Sequence, residues 1–421
     1  MSFIEGMITE VINKNCLEAM QDMKENSIDS ILTDPPYGLQ FMGKEWDTLW
    51  RNQTDADKEY VENKKKTTDG LTSRMRNLPD MKNTNDKMMQ EWHYNWAVEA
   101  LRVAKPGAHM LAFGGTRTHH RLMCAIEDAG WEIRDTMMWV HGQGFPKSHN
   151  ISKALDKIVD ITTPATPEAK QWDGYGTGLK PAWEPITLCR KPVEGTIAQN
   201  VLKWGVGGLN IDGCRIETNE LKNKVYNNNS ENISYQGRLK QTYLNENDTG
   251  RFPANFLHDG SDEVMELFPE CGSGSYQKQS RKRKGFKISG SENNIQEANA
   301  PDNYGDSGSA ARFFYCAKPS KKERNMGCEE LPDTPIIRHQ PHNSKNLDER
   351  YAMTNKNDHP TVKPIKLLRY LARLITPPGG TILDPFAGSG STGVAAVQEG
   401  FNSILIEVDE HYCDIIRSRC K

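Results

Sequence analysis

Two short stretches hold most of the residues able to do chemistry. Asp34-Pro35-Pro36-Tyr37 sets a carboxylate, two prolines and an aromatic ring directly after the alternating run Ile28-Asp29-Ser30-Ile31-Leu32-Thr33. This set suits modification of an aromatic exocyclic amine. The amine's lone pair is delocalised into the ring and must be drawn toward tetrahedral geometry before it can attack an electrophile. Asp34 can accept one amine hydrogen and a backbone carbonyl the other. Pro36 has no N–H and holds the residue before it extended, which leaves the Pro35 carbonyl free to face a substrate. Tyr37 can stack on a base turned out of a duplex.

The second stretch is Asp384-Pro385-Phe386-Ala387-Gly388-Ser389-Gly390-Ser391-Thr392-Gly393. It follows one strand pattern and opens a helix pattern, the setting in which spaced glycines cradle a nucleotide-like ligand. The next strand pattern ends in Glu407, whose carboxylate can accept hydrogen bonds from both ribose hydroxyls. Taken alone, this loop fits a nicotinamide cofactor as well as S-adenosylmethionine. The Asp34–Tyr37 tetrad favours a methyl donor. No lysine stands in the P-loop position. A third stretch, His359-Pro360-Thr361-Val362-Lys363-Pro364, precedes a helix pattern. Pro364 fits the first helical turn, and the helix-start donors with the Lys363 ammonium suit a carboxylate.

The elements that must hold these groups alternate between period 2 and period 3.6. Strand Ile8–Ile12, helix Cys16–Met23 and strand 28–33 lead into the tetrad. A helix near Trp92–Val103, a Pro106-Gly107 turn, strand His109–Phe113, helix Thr118–Ala129 and strand Thr136–Val140 follow. After His141 the rhythm breaks into Gly-, Asn-, Ser- and Pro-rich sequence until about Arg350. It returns with helix Ile365–Ile375, strand Thr381–Leu383, helix Thr392–Glu399 and strand Ser403–Glu407. Such alternation predicts an α/β fold with a largely parallel, doubly wound Rossmann-like sheet. Residues 1–140 and 351–421 form its two halves, and 141–350 form one large loop-rich insertion. Residues 41–90, rich in Lys, Asn, Asp and Thr, read as a mobile surface excursion within the first half.

The order DPPY, long insertion, HPTVKP, DPFAGSG resembles the β-class S-adenosylmethionine-dependent DNA amino-methyltransferases, which methylate N6 of adenine or N4 of cytosine. Residues 176–185 and Ala310–Tyr315 are similar to segments of phage and prophage members. The resemblance implies a mixed sheet with one antiparallel strand, catalysis at Asp34, Pro35, Pro36 and Tyr37, and a target-recognition domain at 141–350. It places the cofactor on Asn15, Cys16, Asp34, Thr361, Lys363, Asp384, Phe386, Gly388, Gly390 and Glu407; Asn15 stands where the family usually has Asp. It implies double-stranded DNA as the partner and is compatible with a homodimer and with a cognate restriction endonuclease. Asp34 tilts the target toward adenine, since N4 enzymes more often carry Ser there.

Composition narrows the alternatives. With 36% hydrophobic residues among 421 the chain can build a core, and no apolar run reaches membrane-span length, so a cytoplasmic protein is expected. The nine cysteines show no metal-ligand or disulfide spacing, so no metal is expected. None follows a proline, as the nucleophile of the cytosine-C5 enzymes does. The net charge of −3 gives no global pull toward nucleic acid; Arg281-Lys282-Arg283-Lys284 and Lys64-Lys65-Lys66 are the local basic runs suited to phosphates. Trp139, Trp172, Trp183 and Trp204 are expected as core anchors. A nicotinamide-dependent oxidoreductase and a silent DNA-binding module stay open as rivals, the first leaving Asp34–Tyr37 unexplained.

Overall fold

A computed structural model describes residues 7–38, 84–142, 144, 148–158, 166–217, 250–271, 308–318, 320–335 and 354–421. Their centre is a nine-stranded sheet. In chain order its strands are β1 (Thr9–Asn13), β2 (Ile28–Thr33), β3 (Ala104–Phe113), β4 (Glu132–Val140), β5 (Trp183–Arg190), β6 (Phe256–His258), β7 (Tyr315–Cys316), β8 (Thr381–Asp384) and β9 (Asn402–Glu407). In space they run β1-β9-β8-β2-β3-β5-β4-β6-β7. The first five are mutually parallel, with Ile382 opposite Ser30 and Leu383 opposite Ile31 where the two ends of the chain meet. β5 runs antiparallel to both β3 and β4. This is the doubly wound α/β sheet with one reversed strand.

Alternation along the strands sends side chains to opposite faces. Ile31 and Met110 pack with Met20, Trp96, Ala100 and Leu122 from the helices Cys16–Gln21, Thr84–Val103 and His119–Asp128. Leu32 and Leu111 face Leu367, Leu371 and Ala395 from the helices Ile365–Ile375 and Ser391–Glu399. Both layers are fully buried, which fixes the register, since a one-residue slip would put each set on the wrong face.

Several expectations need correction. The boundary at 140/141 is not a boundary of the sheet: β5, β6 and β7 all come from the 141–350 stretch. The all-buried second half of β5, Pro185–Arg190, lacks the polar alternation of a one-sided strand because both of its faces are covered. The helix before β3 begins at Thr84, inside the expected surface excursion, where a polar start hides Met89, Trp92 and Trp96 at helical spacing. Pro106-Gly107 survives as a bulge within β3, because Ile28 pairs with Ala104 while Ser30 already pairs with His109. Trp139 is buried, but Trp172 is 41% exposed on the short helix-end at Gln171 and anchors no core. A last helix, Glu410–Arg419, was not anticipated. The runs Lys64–Lys66 and Arg281–Lys284 lie outside the described residues.

Candidate active site

The residues after β1, β9, β8, β2 and β3 all emerge at one edge, the carboxyl ends of five neighbouring parallel strands. The order of the sheet reverses there between β8 and β2, which opens a crevice between outgoing connections. A cavity of 480 Å³ lies along this edge, within the range of small-molecule sites. Asn15, Cys16, Asp34, Thr361, Lys363, Asp384, Phe386, Gly388 and Glu407 line it. Pro36 does too, whereas Pro35, Tyr37 and Gly390 are not among its lining residues.

Local chemistry explains the shape of the loop after β8. The Asp384 carboxylate accepts from the Thr33 hydroxyl at 2.7 Å and from the Phe386 N–H at 3.1 Å, which ties the ends of β2 and β8 together. Burial pushes its carboxyl up to about 6 despite the hydrogen bonds from Thr392 and Thr33. Gly388 and Gly390 have φ of +53° and +78°, a region that disfavours side chains. A Cβ on Gly388 would sit 2.9 Å from His359 Nε2. The Gly388 N–H donates to Glu407 Oε2 at 2.8 Å, and the Asp409 N–H donates to Oε1 at 3.0 Å. Burial pushes the Glu407 carboxyl up to about 7 against those two bonds. Asn15 Oδ1 accepts from the Leu17 N–H as the cap of the helix Cys16–Gln21, at 2.9 Å.

At the other end of the cavity Asp34 Oδ2 accepts from Lys363 Nζ at 2.5 Å. Asp34 Oδ1 is buried and has no hydrogen-bond partner among the described residues. Burial raises the Asp34 carboxyl, although Lys363 pulls the other way. Burial alone would lower Lys363, but the Asp34 and Glu184 carboxylates outweigh it and hold the ammonium charged. Lys363 also donates to Tyr37 OH at 3.2 Å and lies 3.3 Å from Glu184 Oε2. Its ammonium thus belongs with the Asp34–Tyr37 tetrad and Glu184 rather than standing free at the helix start. The Tyr37 hydroxyl donates to Glu184 Oε2 at 3.1 Å, and the Tyr37 backbone carbonyl accepts from the Thr118 hydroxyl at 2.7 Å.

Residues 28–418 match the family described as DNA methylase, the N6 and N4 amino-methyltransferases. The chain belongs to this family. Its enzymes depend on S-adenosylmethionine. The chain is 26% identical over 209 residues to Type II methyltransferase M.HindIII of Haemophilus influenzae, covering 48% of this chain and 65% of that protein. With the DNA adenine methyltransferase YhdJ of Escherichia coli it shares 43% identity over 63 residues, 15% of this chain and 21% of the relative. The matches thus span less than two thirds of either relative. Among solved structures, the cytosine-N4-specific PvuII DNA methyltransferase aligns over 99% of this chain and 90% of its own at 13% identity, with a TM-score of 0.40.

The residues present fit the family's methyl donor. The glycine loop leaves space that a Cβ would fill, Glu407 offers a carboxylate, and Asp34, which lines the same cavity, carries an orphaned buried acceptor in Oδ1. Sequence reasoning missed several wall residues. Trp92 lines the cavity, and Trp92 and Trp96 hold the Phe386 ring from the helix Thr84–Val103, with centroids 5.6 and 5.4 Å away. His359, edge-on to Tyr412 at 4.7 Å, is driven to about 3 by burial and the nearby Lys363, and so stays neutral. Glu184, beside Lys363 and not itself part of the cavity lining, falls in the stretch read as the insertion. An acid between Trp183 and Pro185 at the start of an apolar run was the signal available. Among the described residues no group of three His, Cys, Asp or Glu could hold a metal ion, and no helix is long and apolar enough to cross a membrane.

Proposed function

We propose that this chain methylates N6 of an adenine flipped out of double-stranded DNA. The observation that carries the reading is the unpartnered, buried Asp34 Oδ1 at the end of β2, on the wall of the cavity that Glu407 and the glycine loop share. When bound, S-adenosylmethionine supplies an electrophilic methyl on a sulfonium. Asp34 Oδ1 accepts an N–H of the target amine and draws its lone pair out of the ring, and the walls of Phe113 and Pro36 exclude water. No cysteine nucleophile is needed for this chemistry. An Asp at position 34 and the name of the YhdJ relative support adenine over cytosine. The test is transfer of a labelled methyl group to duplex DNA, with the product digested to nucleosides. N6-methyladenine is expected. N4-methylcytosine would keep the family and overturn the base, and no transfer to any DNA would overturn the reading.

Within this reading Glu407 holds the ribose hydroxyls, and Asn15, Cys16, Thr361 and Phe386 bound the rest of the donor. Binding should then depend on pH. A carboxyl with its pKa at about 7 is mostly protonated at pH 6 and mostly ionised at pH 8. Only the ionised form accepts both hydroxyls, so affinity falls with falling pH through that window. Calorimetry should show donor affinity about tenfold weaker at pH 6 than at pH 8. Glu407→Gln should bind more weakly and lose this dependence; the same pH dependence in the variant would place the titrating group elsewhere. For the DNA, we assign target recognition to the parts of 141–350 outside β5, β6 and β7. Phosphate contacts are assigned to Arg281-Lys282-Arg283-Lys284, on charge alone.

A further inference from the structure

We propose that Glu184 is a positioning residue for methyl transfer: it shares the Lys363 ammonium with Asp34 and so keeps Asp34 Oδ1 open for the target amine. This rests on the methyl-transfer reading above. An ammonium has three N–H donors, and around Lys363 there are three acceptors: Asp34 Oδ2 at 2.5 Å, Tyr37 OH at 3.2 Å and Glu184 Oε2 at 3.3 Å. Tyr37 OH closes the ring by donating to the same Glu184 oxygen at 3.1 Å. The lysine side chain is only 10% exposed, and the two carboxylates 23% and 24%. The charges therefore answer to each other more than to solvent. Two of the donors are hydrogen-bonded, to Asp34 Oδ2 and Tyr37 OH, and the Glu184 carboxylate draws the ammonium from the other side as an ion pair, so that Asp34 Oδ1 stays unpartnered.

Removing the Glu184 charge leaves a buried cation with one anionic partner. The strongest remaining arrangement has the ammonium bridging both Asp34 oxygens, which covers the atom that must accept the amine hydrogen. Glu184 can act here only because β5 is reversed. Phe113 of β3 lies opposite Ile186 of β5, so residue 184 reaches past the carboxyl end of β3 to the edge where the tetrad sits. The Trp183–Glu184 side of β5 pairs with Val140 and Trp139 of β4, which holds the carboxylate beside Lys363 and Tyr37.

The test is a cycle of Glu184→Gln, Lys363→Met and the double variant, read as single-turnover methyl transfer at saturating donor and DNA. Gln keeps the size and a carbonyl acceptor for Tyr37 but drops the charge. Glu184→Gln is expected to slow transfer about 10- to 100-fold while changing donor affinity less than about threefold. In the Lys363→Met background the same change should have little further effect. Wild-type turnover by a folded Glu184→Gln, or a loss as large in the Lys363→Met background, would overturn the proposal. If Lys363→Met has no measurable rate, the crystal structure of Glu184→Gln decides; if Glu184→Gln does not fold, that of Glu184→Asp, whose shorter side chain draws the carboxylate away from Lys363, decides instead. Lys363 Nζ bonded to both Asp34 oxygens supports the proposal, and pairing to Oδ2 alone refutes it. A wild-type protein that transfers no methyl to any DNA would sink the methyl-transfer reading, and the structural comparison would still report on Glu184.

Discussion

Asp34→Ala is expected to lower methyl transfer by about a thousandfold or more while leaving the protein folded. In the proposed reaction the carboxylate supplies an acceptor that the target amine needs only as it pyramidalises, and positioned polar groups of this kind are worth about 10²–10⁴ in rate. The fold should survive because Lys363, the cation that Asp34 partners, keeps Glu184 at 3.3 Å. The variant therefore does not strand a buried charge, which would cost about 3–5 kcal/mol. Single-turnover rates at saturating donor, with a thermal melt alongside, make the comparison. Some loss of donor affinity is compatible with the role, since Asp34 lines the shared cavity. A folded variant turning over at a tenth of the wild-type rate would show that the acceptor lies elsewhere.

The second large effect is expected at the glycine loop. Gly388→Val places a β-branched side chain at a φ of +53°, with its Cβ 2.9 Å from His359 Nε2 and 3.0 Å from Cε1. Backbone strain of this kind costs about 1–3 kcal/mol. Relief by rotating the peptide would withdraw the N–H that Gly388 gives Glu407 at 2.8 Å. Donor affinity should fall by about 10- to 100-fold or more, and DNA affinity should hold, because the proposed reading gives this loop to the donor. Gly388→Ala should show the same effect more weakly. Unchanged calorimetric affinity in Gly388→Val would mean that the donor does not lie against this loop.

Both predictions concern groups that were legible before any coordinates, and the reason is local. Asp34 sits one residue past a strand and Gly388 inside a strand–loop–helix turn. In each case the chemistry and the element that presents it share a run of ten or so residues. Where a property depended on local pattern the expectation held closely, as for β2 at Ile28–Thr33 and the helix Ile365–Ile375. Polar, glycine-rich context misled. β5 was submerged in the apparent insertion because its neighbours in sequence are loops, although its neighbours in space are β3 and β4. Trp172 looked like an anchor by residue type alone, yet it is half-exposed and packs edge-on against the exposed Tyr175 rather than into a core.

The sequence by itself determined the family, the doubly wound plan and the two strand ends that carry Asp34 and the glycine loop. It could do so because parallel strands in such a sheet all point their carboxyl ends, and whatever follows them, to one edge. The tertiary structure alone decided which groups far apart in the chain share a buried space, and pairing inside a low-dielectric site depends on that sharing. Phe386 is held by Trp92 and Trp96 across nearly three hundred residues of chain. Lys363, which the helix start seemed to offer to a carboxylate of the cofactor, is held instead between Asp34 and Glu184. Glu184 reaches them because one strand runs backwards, and a strand's direction is set by the partners it pairs with, not by the residues it contains.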